Sequence, residues 1–183
     1  MILKELKMTV GTFCFDIMVL RNGTDGLIRH FLFVAIDQCS RWVHMRVFEE
    51  MTDKAVVEFL NELVSVAPFK IQKVITDSSV TFVNEQITGS GKGVTGKEHP
   101  FSKACRKHQI NHRNVSSATN QISGMTERFL GKIERNVELS RIGSVMGKTT
   151  AVQQYREHYL RTPQIELGGK TPMEMLLDQG KPD

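Results

Sequence analysis

The chain has 183 residues, 40% of them hydrophobic and 24% charged, which suits one globular core, and no apolar run approaches the roughly 20 residues that a bilayer span needs. The start, MILKELKMTV, lacks an apolar block with a cleavage site, and Cys14, Cys39 and Cys105 are too scattered for a disulfide scaffold or a CxxC zinc site. Reduced thiols and a cytoplasmic place are the expectation. The net charge of +4 is unevenly spread: residues 92–135 hold nine Lys or Arg against three Asp or Glu, a possible footprint for a phosphate backbone or simply a solvated lysine-rich surface.

In chain order, TVGTFCFDIMVL (9–20) is rich in β-branched and aromatic residues and predicts a strand. RNGTDG (21–26) carries Asn-Gly and Asp-Gly, the hairpin signal, and HFLFVAID (30–37) follows as a mostly buried strand. After a short CSR link, WVHMRVF (42–48) alternates as a third strand, with Trp42 a core candidate. Ala55, Val56, Phe59, Leu60, Leu63 and Val64 fall at helical spacing, so 53–66 predicts an amphipathic helix capped by Thr52 or Asp53 and ended before Pro68. KVIT (73–76) is a short strand running into Asp77, and a flexible loop is expected over about 85–100. A helix at 101–108, a strand at 110–115 and a loop at 116–124 come next. From Met125 the periodicity is helical again: Phe129, Ile133 and Val137 form one stripe, and Arg128, Lys132 and Arg135 a basic one. A helix is expected over about 149–160, then a tail from about 162 to 183 with a short helix at 171–177, capped by Thr171 with Pro172 at its first position. The histidines His44, His99, His108 and His112 show no ligand spacing and read as ordinary surface or loop residues.

Three strands, a helix, a strand, a helix, a strand and further helices make an α/β fold: a three-strand antiparallel meander feeding alternating units, about five strands in a mixed sheet flanked by helices. That is the layout of a ribonuclease-H-like fold in one domain, 1–183. Three acids stand out by position. Asp16 lies inside the first strand, where an acid is costly unless paired or metal-bound; an outward-facing place on an edge strand would also explain it. Asp77 ends a short strand and suits a turn or helix cap equally. Glu127 opens a helix, where the dipole favours an acid in any case. Together they suit phosphodiester chemistry: two divalent ions about 3.5–4 Å apart serve both ends of an in-line displacement, and Mg²⁺ or Mn²⁺ prefers oxygen ligands.

These segments resemble a known family. FLFVAIDQCSR (31–41) is similar to the second-strand signature of bacterial insertion-sequence transposases with a retroviral-integrase-type DDE core, and FDIMVL (15–20) to their first strand. VITDSSVTF (74–82) resembles V-x-T-D-N-G-S-x-F, SGMTERFLGKIE (123–134) resembles N-G-x-x-E-R-F-N, and YLRTPQIELGGKTPMEML (159–176) looks like Y-N-x-x-x-P-x-x-x-L-x-G-x-T-P. The resemblance implies metal-dependent DNA strand cleavage and transfer in transposition, with Asp16, Asp77 and Glu127 as catalytic carboxylates and ligands of Mg²⁺ or Mn²⁺, two ions when DNA is bound. It also implies DNA contacts by Arg128, Lys132 and Arg135, transposon ends and target as partners, a homodimer or higher oligomer, no membrane, and a nucleoid-associated place in a bacterial cytoplasm. Asp37 is expected to be structural, without a metal.

Two segments depart from the pattern. Ser78-Ser79 replace the Asn-Gly that supports a tight turn, and 120–123 read Asn-Gln-Ile-Ser where Pro-Gln-Thr-Asn is usual. With the first strand about ten residues in, no helix-turn-helix region for end recognition is expected, as in an excised core or truncated copy. The alternative reading is a catalytically decayed remnant that binds DNA or multimerises; a ribonuclease-H-like nuclease without strand transfer is a third.

Overall fold

A computed structural model describes residues 9–22, 28–77, 99–115 and 123–179, with Asn22, Ile28, Asp77, Ser123 and Gln179 described by their backbone alone. The expectations for the hairpin tip, for the loops at 85–98 and 116–122, and for Ser78-Ser79 lie outside those residues.

The chain forms an α/β fold around a five-stranded sheet ordered β3-β2-β1-β4-β5. Strands β1 (Thr12–Asn22), β2 (Ile28–Asp37) and β3 (Val43–Phe48) make the antiparallel meander, while β4 (Lys73–Asp77) and β5 (Asn111–Val115) run parallel to β1. The helices are α1 (Asp53–Val66), α2 (Pro100–Lys107), α3 (Ser123–Asn136), α4 (Val145–Leu160) and α5 (Pro172–Gln179), with 3-10 turns at Leu139–Arg141 and Ile165–Leu167. This is the ribonuclease-H-like arrangement expected from the order of elements. Among the described residues, no helix is long and apolar enough to cross a membrane, and Cys14, Cys39 and Cys105 are free thiols.

Alternation along β1 divides the molecule into two faces. Phe13 and Phe15 point toward α1 and α2, where Phe15 meets Phe33, Phe59 and Phe101 at ring separations of 5.7, 5.0 and 5.5 Å. Phe13 packs edge-on to Trp42 at 6.0 Å and stacks on Phe69 at 5.8 Å. Each such ring, fully buried, stabilises the fold by about 2–3 kcal/mol. The alternate residues, Cys14 and Asp16, therefore face the layer formed by α3 and α4. There Phe129 of α3 packs edge-on to Tyr159 at 4.8 Å, and α4 binds the edge strand by donating from Gln153 Nε2 to the Met45 carbonyl and from Arg156 Nε to that of Val43.

Local signals account for most boundaries. Thr52 caps α1 by accepting the Ala55 N–H at 3.1 Å. Thr171 and Glu174 exchange hydrogen bonds at the start of α5, a capping box, with Pro172 opening the helix. Gly11 enters β1 at φ +108°, and a Cβ there would come within 2.6 Å of the Lys70 carbonyl oxygen. Two helix starts and one environment differ notably from expectation, beside shifts of one to three residues at other element ends. Helix α3 starts at Ser123, two residues early, and α4 at Val145, four residues early, because Ser144 caps it by accepting the Gly147 N–H. His44 is no surface residue: it is 4% exposed and stacks on Phe59 beneath α1.

Candidate active site

Asp16 sits at the middle of β1, and β1 is the central strand of the sheet, so the edge-strand explanation of this acid does not apply. Its side chain is half-buried, and its Oδ1 accepts the Ile17 N–H at 2.8 Å. On β4, Phe15 pairs with Thr76 in parallel register. Asp16 and Asp77 are the residues that directly follow this last registered pair on β1 and β4. Thr76 is locked from the other face, where its Oγ1 hydrogen-bonds His112 Nε2 at 2.9 Å while His112 Nδ1 pairs with Ser102 Oγ at 2.9 Å. Burial pushes the His112 ring below its ordinary range, with His99 adding to that, so a neutral imidazole bridges two hydroxyls and ties the end of β4 to α2.

Glu127 lies in the first turns of α3, the helix that packs on β1 over the face that Asp16 shares. The helix is fixed by buried Met125, Phe129 and Ile133, while Glu127 and Arg128 are exposed. Two of the three acids thus each follow the last registered pair of β1 and β4, and the third is carried by a helix that packs on β1. Among the described side chains, no three His, Cys, Asp or Glu gather as a metal cluster, a set that does not include the Asp77 side chain. The residue types suit a hard cation, which prefers carboxylate oxygen, and Cys14 is the neighbouring sulfur. That sulfur is a poor competitor, because burial pushes the Cys14 thiol up to about 11 and keeps it protonated.

Asp37 has a different place. It is fully buried; its Oδ1 accepts the Gly11 N–H at 2.8 Å, and its Oδ2 accepts from the Ser40 N–H, Ser40 Oγ and the Cys39 N–H at 2.7, 2.8 and 3.1 Å. These bonds tie the β2–β3 turn to the entry of β1, a structural role.

The expected basic stripe divides. Arg128 and Arg135 are exposed, while Lys132 donates to Gln164 Oε1 at 3.1 Å and stands 3.7 Å from Glu166 Oε1. Arg128, Lys132, Gln164 and Glu166 border a cleft with Arg41 and Tyr159, and Arg135 lies outside its lining. Arg41 adopts φ 62°, a left-handed conformation that is unusual for a side chain of its size. Its guanidinium touches Met125 Sδ. Sequence reasoning singled out none of Arg41, Gln164 or Glu166, although all three fall inside the segments that carry the family resemblance, 31–41 and 159–176.

No family profile and no curated protein matches the chain.

Proposed function

We propose that the chain is the catalytic core of a DDE-type polynucleotidyl transferase, cutting and joining DNA strands in transposition. The reading rests above all on Asp16 and Asp77 directly following the last registered pair of β1 and β4 in a ribonuclease-H-like sheet, with α3 packed on β1. In this reading Asp16 and Asp77 hold one divalent cation between them, and Glu127 completes the ligand set from α3. Bound Mg²⁺ or Mn²⁺ supplies the positive charge that acidifies an attacking water or 3′-hydroxyl and stabilises the leaving oxygen. Arg128, Lys132 and Arg135 hold the strand by its phosphates, which fixes register without reading sequence. Transposon ends and target DNA are the partners, and a dimer or larger assembly would bring two such cores to one target.

The test is a donor-end duplex assay with Mn²⁺, comparing the native chain with Asp16→Asn and Asp77→Asn. Joining or nicking that disappears in both variants, with folding retained, supports the reading. Cleavage that persists in either variant removes that residue from the mechanism. A second reading, a DNA-binding remnant without activity, is favoured by Ser78-Ser79 in place of the turn-forming Asn-Gly; duplex binding with no cleavage by the native chain would select it.

A further inference from the structure

The cleft beside α3 brings together charges from three separate segments: Arg41 from the β2–β3 turn, Arg128 and Lys132 from α3, and Glu166 from the 3-10 turn near the C-terminus. Among the described residues, Glu166 is the only acid lining it, against three cations. Its carboxyl is held below the ordinary range by its own backbone N–H, by Lys132 and by Arg41. The Glu166 side chain is nonetheless 42% exposed, so it can swing into water without a burial cost. Gln164, by contrast, is 7% exposed and braced, accepting from Lys132 and donating from its Nε2 to the Thr162 carbonyl at 2.9 Å. With Glu166 in place the cleft offers about 30 Å³, room for a water or two, and a phosphate reaching Lys132 competes with the carboxylate already beside it.

We infer that Arg41, Arg128 and Lys132 form a subsite for a DNA-backbone phosphate, and that the Glu166 carboxylate fills it in the free chain as an internal stand-in that DNA must displace. This rests on the reading of α3 as a DNA-facing helix. A carboxylate and a phosphodiester each bring one negative charge and hydrogen-bond-accepting oxygens, so the exchange leaves the local charge unchanged. DNA has the advantage of counterion release, which an intramolecular carboxylate lacks. The carboxylate has the advantage of tethering, which gives it a high effective concentration. The cations also continue to Arg135, about 10 Å along the helix from Arg128, a row suited to a polymeric anion rather than to a single ion. Glu166 thus lowers duplex affinity and sets a threshold that only a well-seated strand passes.

The experiment measures binding of a labelled random-sequence duplex in metal-free buffer over a series of salt concentrations. Glu166→Gln should tighten binding about three- to tenfold and steepen the dependence of log affinity on log salt by about one. Glu50→Gln, an equal charge change on the turn after β3, should do neither. Lys132→Gln should weaken binding, and adding Glu166→Gln to it should recover less than Glu166→Gln gains alone. If the native chain binds duplex and Glu166→Gln binds no tighter than Glu50→Gln, the stand-in role is overturned while DNA binding survives. If neither the native chain nor Glu166→Gln binds duplex, both readings fall. Inorganic phosphate, tested as titrant, should bind Glu166→Gln far more weakly than duplex does; phosphate binding without duplex binding would make this a small-anion site and overturn the proposal.

Discussion

The two faces of the sheet treat acids in opposite ways. On the α1/α2 face the interior is aromatic, and its acid, Asp37, is fully buried at the strand end with every bond directed at the backbone or a serine around it. On the α3/α4 face, Asp16 sits mid-strand, half-buried, beside the strand end that carries Asp77 and under a helix whose outer side is basic. Adjacent residues of a strand point to opposite faces, so a shift of one position moves an acid from one of these environments to the other. Burial distinguishes the two acids better than residue type does.

That contrast can be broken by exchanging the outcomes. Asp37→Ala should be the most damaging single change, costing about 3–5 kcal/mol in urea denaturation, because it orphans the buried N–H groups of Gly11 and Ser40. Asp16→Asn should leave the urea midpoint nearly unchanged and reduce Mn²⁺-dependent cleavage by more than about a hundredfold, beyond the usual loss for partners that only orient a ligand. Large destabilisation by Asp16→Asn would erase the distinction between the faces. His44 sharpens it by pH. Burial, outweighing the pull of Glu62, pushes its pKa down to about 4, so the ring is neutral in the fold at neutral pH. The unfolded chain takes up a proton near pH 6.5 that the fold refuses until about pH 4. Stability is therefore intact above that window and falls through it by on the order of 2–3 kcal/mol, and His44→Gln should flatten the fall. The smallest effect is expected from Thr171→Ala, about 1 kcal/mol, seen as faster amide exchange in α5 and absent from the sheet.

The fold was legible where a local rule decided the element. Helix α1 matched its expected bounds because Thr52, the apolar stripe from Ala55 to Leu63 and the break before Pro68 agree. Helix α4 extends four residues ahead of its expected start, through Gly147 and Lys148, which carry no apolar pattern. Lys148 is in fact fully buried, donating to the Ile142 carbonyl at 2.7 Å and lying 3.1 Å from His30 Nδ1, partners that no periodicity reveals. His44 misled for the same reason, since a polar residue in an alternating strand gives no sign of a phenylalanine stacked above it. The candidate acids were legible through strand and helix positions, but Asp77 beside Asp16 depends on a parallel pairing across some 60 residues of chain. The Lys132–Glu166 contact likewise joins segments that only the packing of α3 against the C-terminal turn brings together.

The most direct measurement is the anomalous scattering of Mn²⁺ in crystals of the native chain grown with duplex DNA. The account predicts an ion between the carboxylates of Asp16 and Asp77, with Glu127 within ligand reach of it or of a second ion beside it. Manganese bound elsewhere, or a Glu127 carboxylate held far from both aspartates with α3 fully ordered, would contradict it.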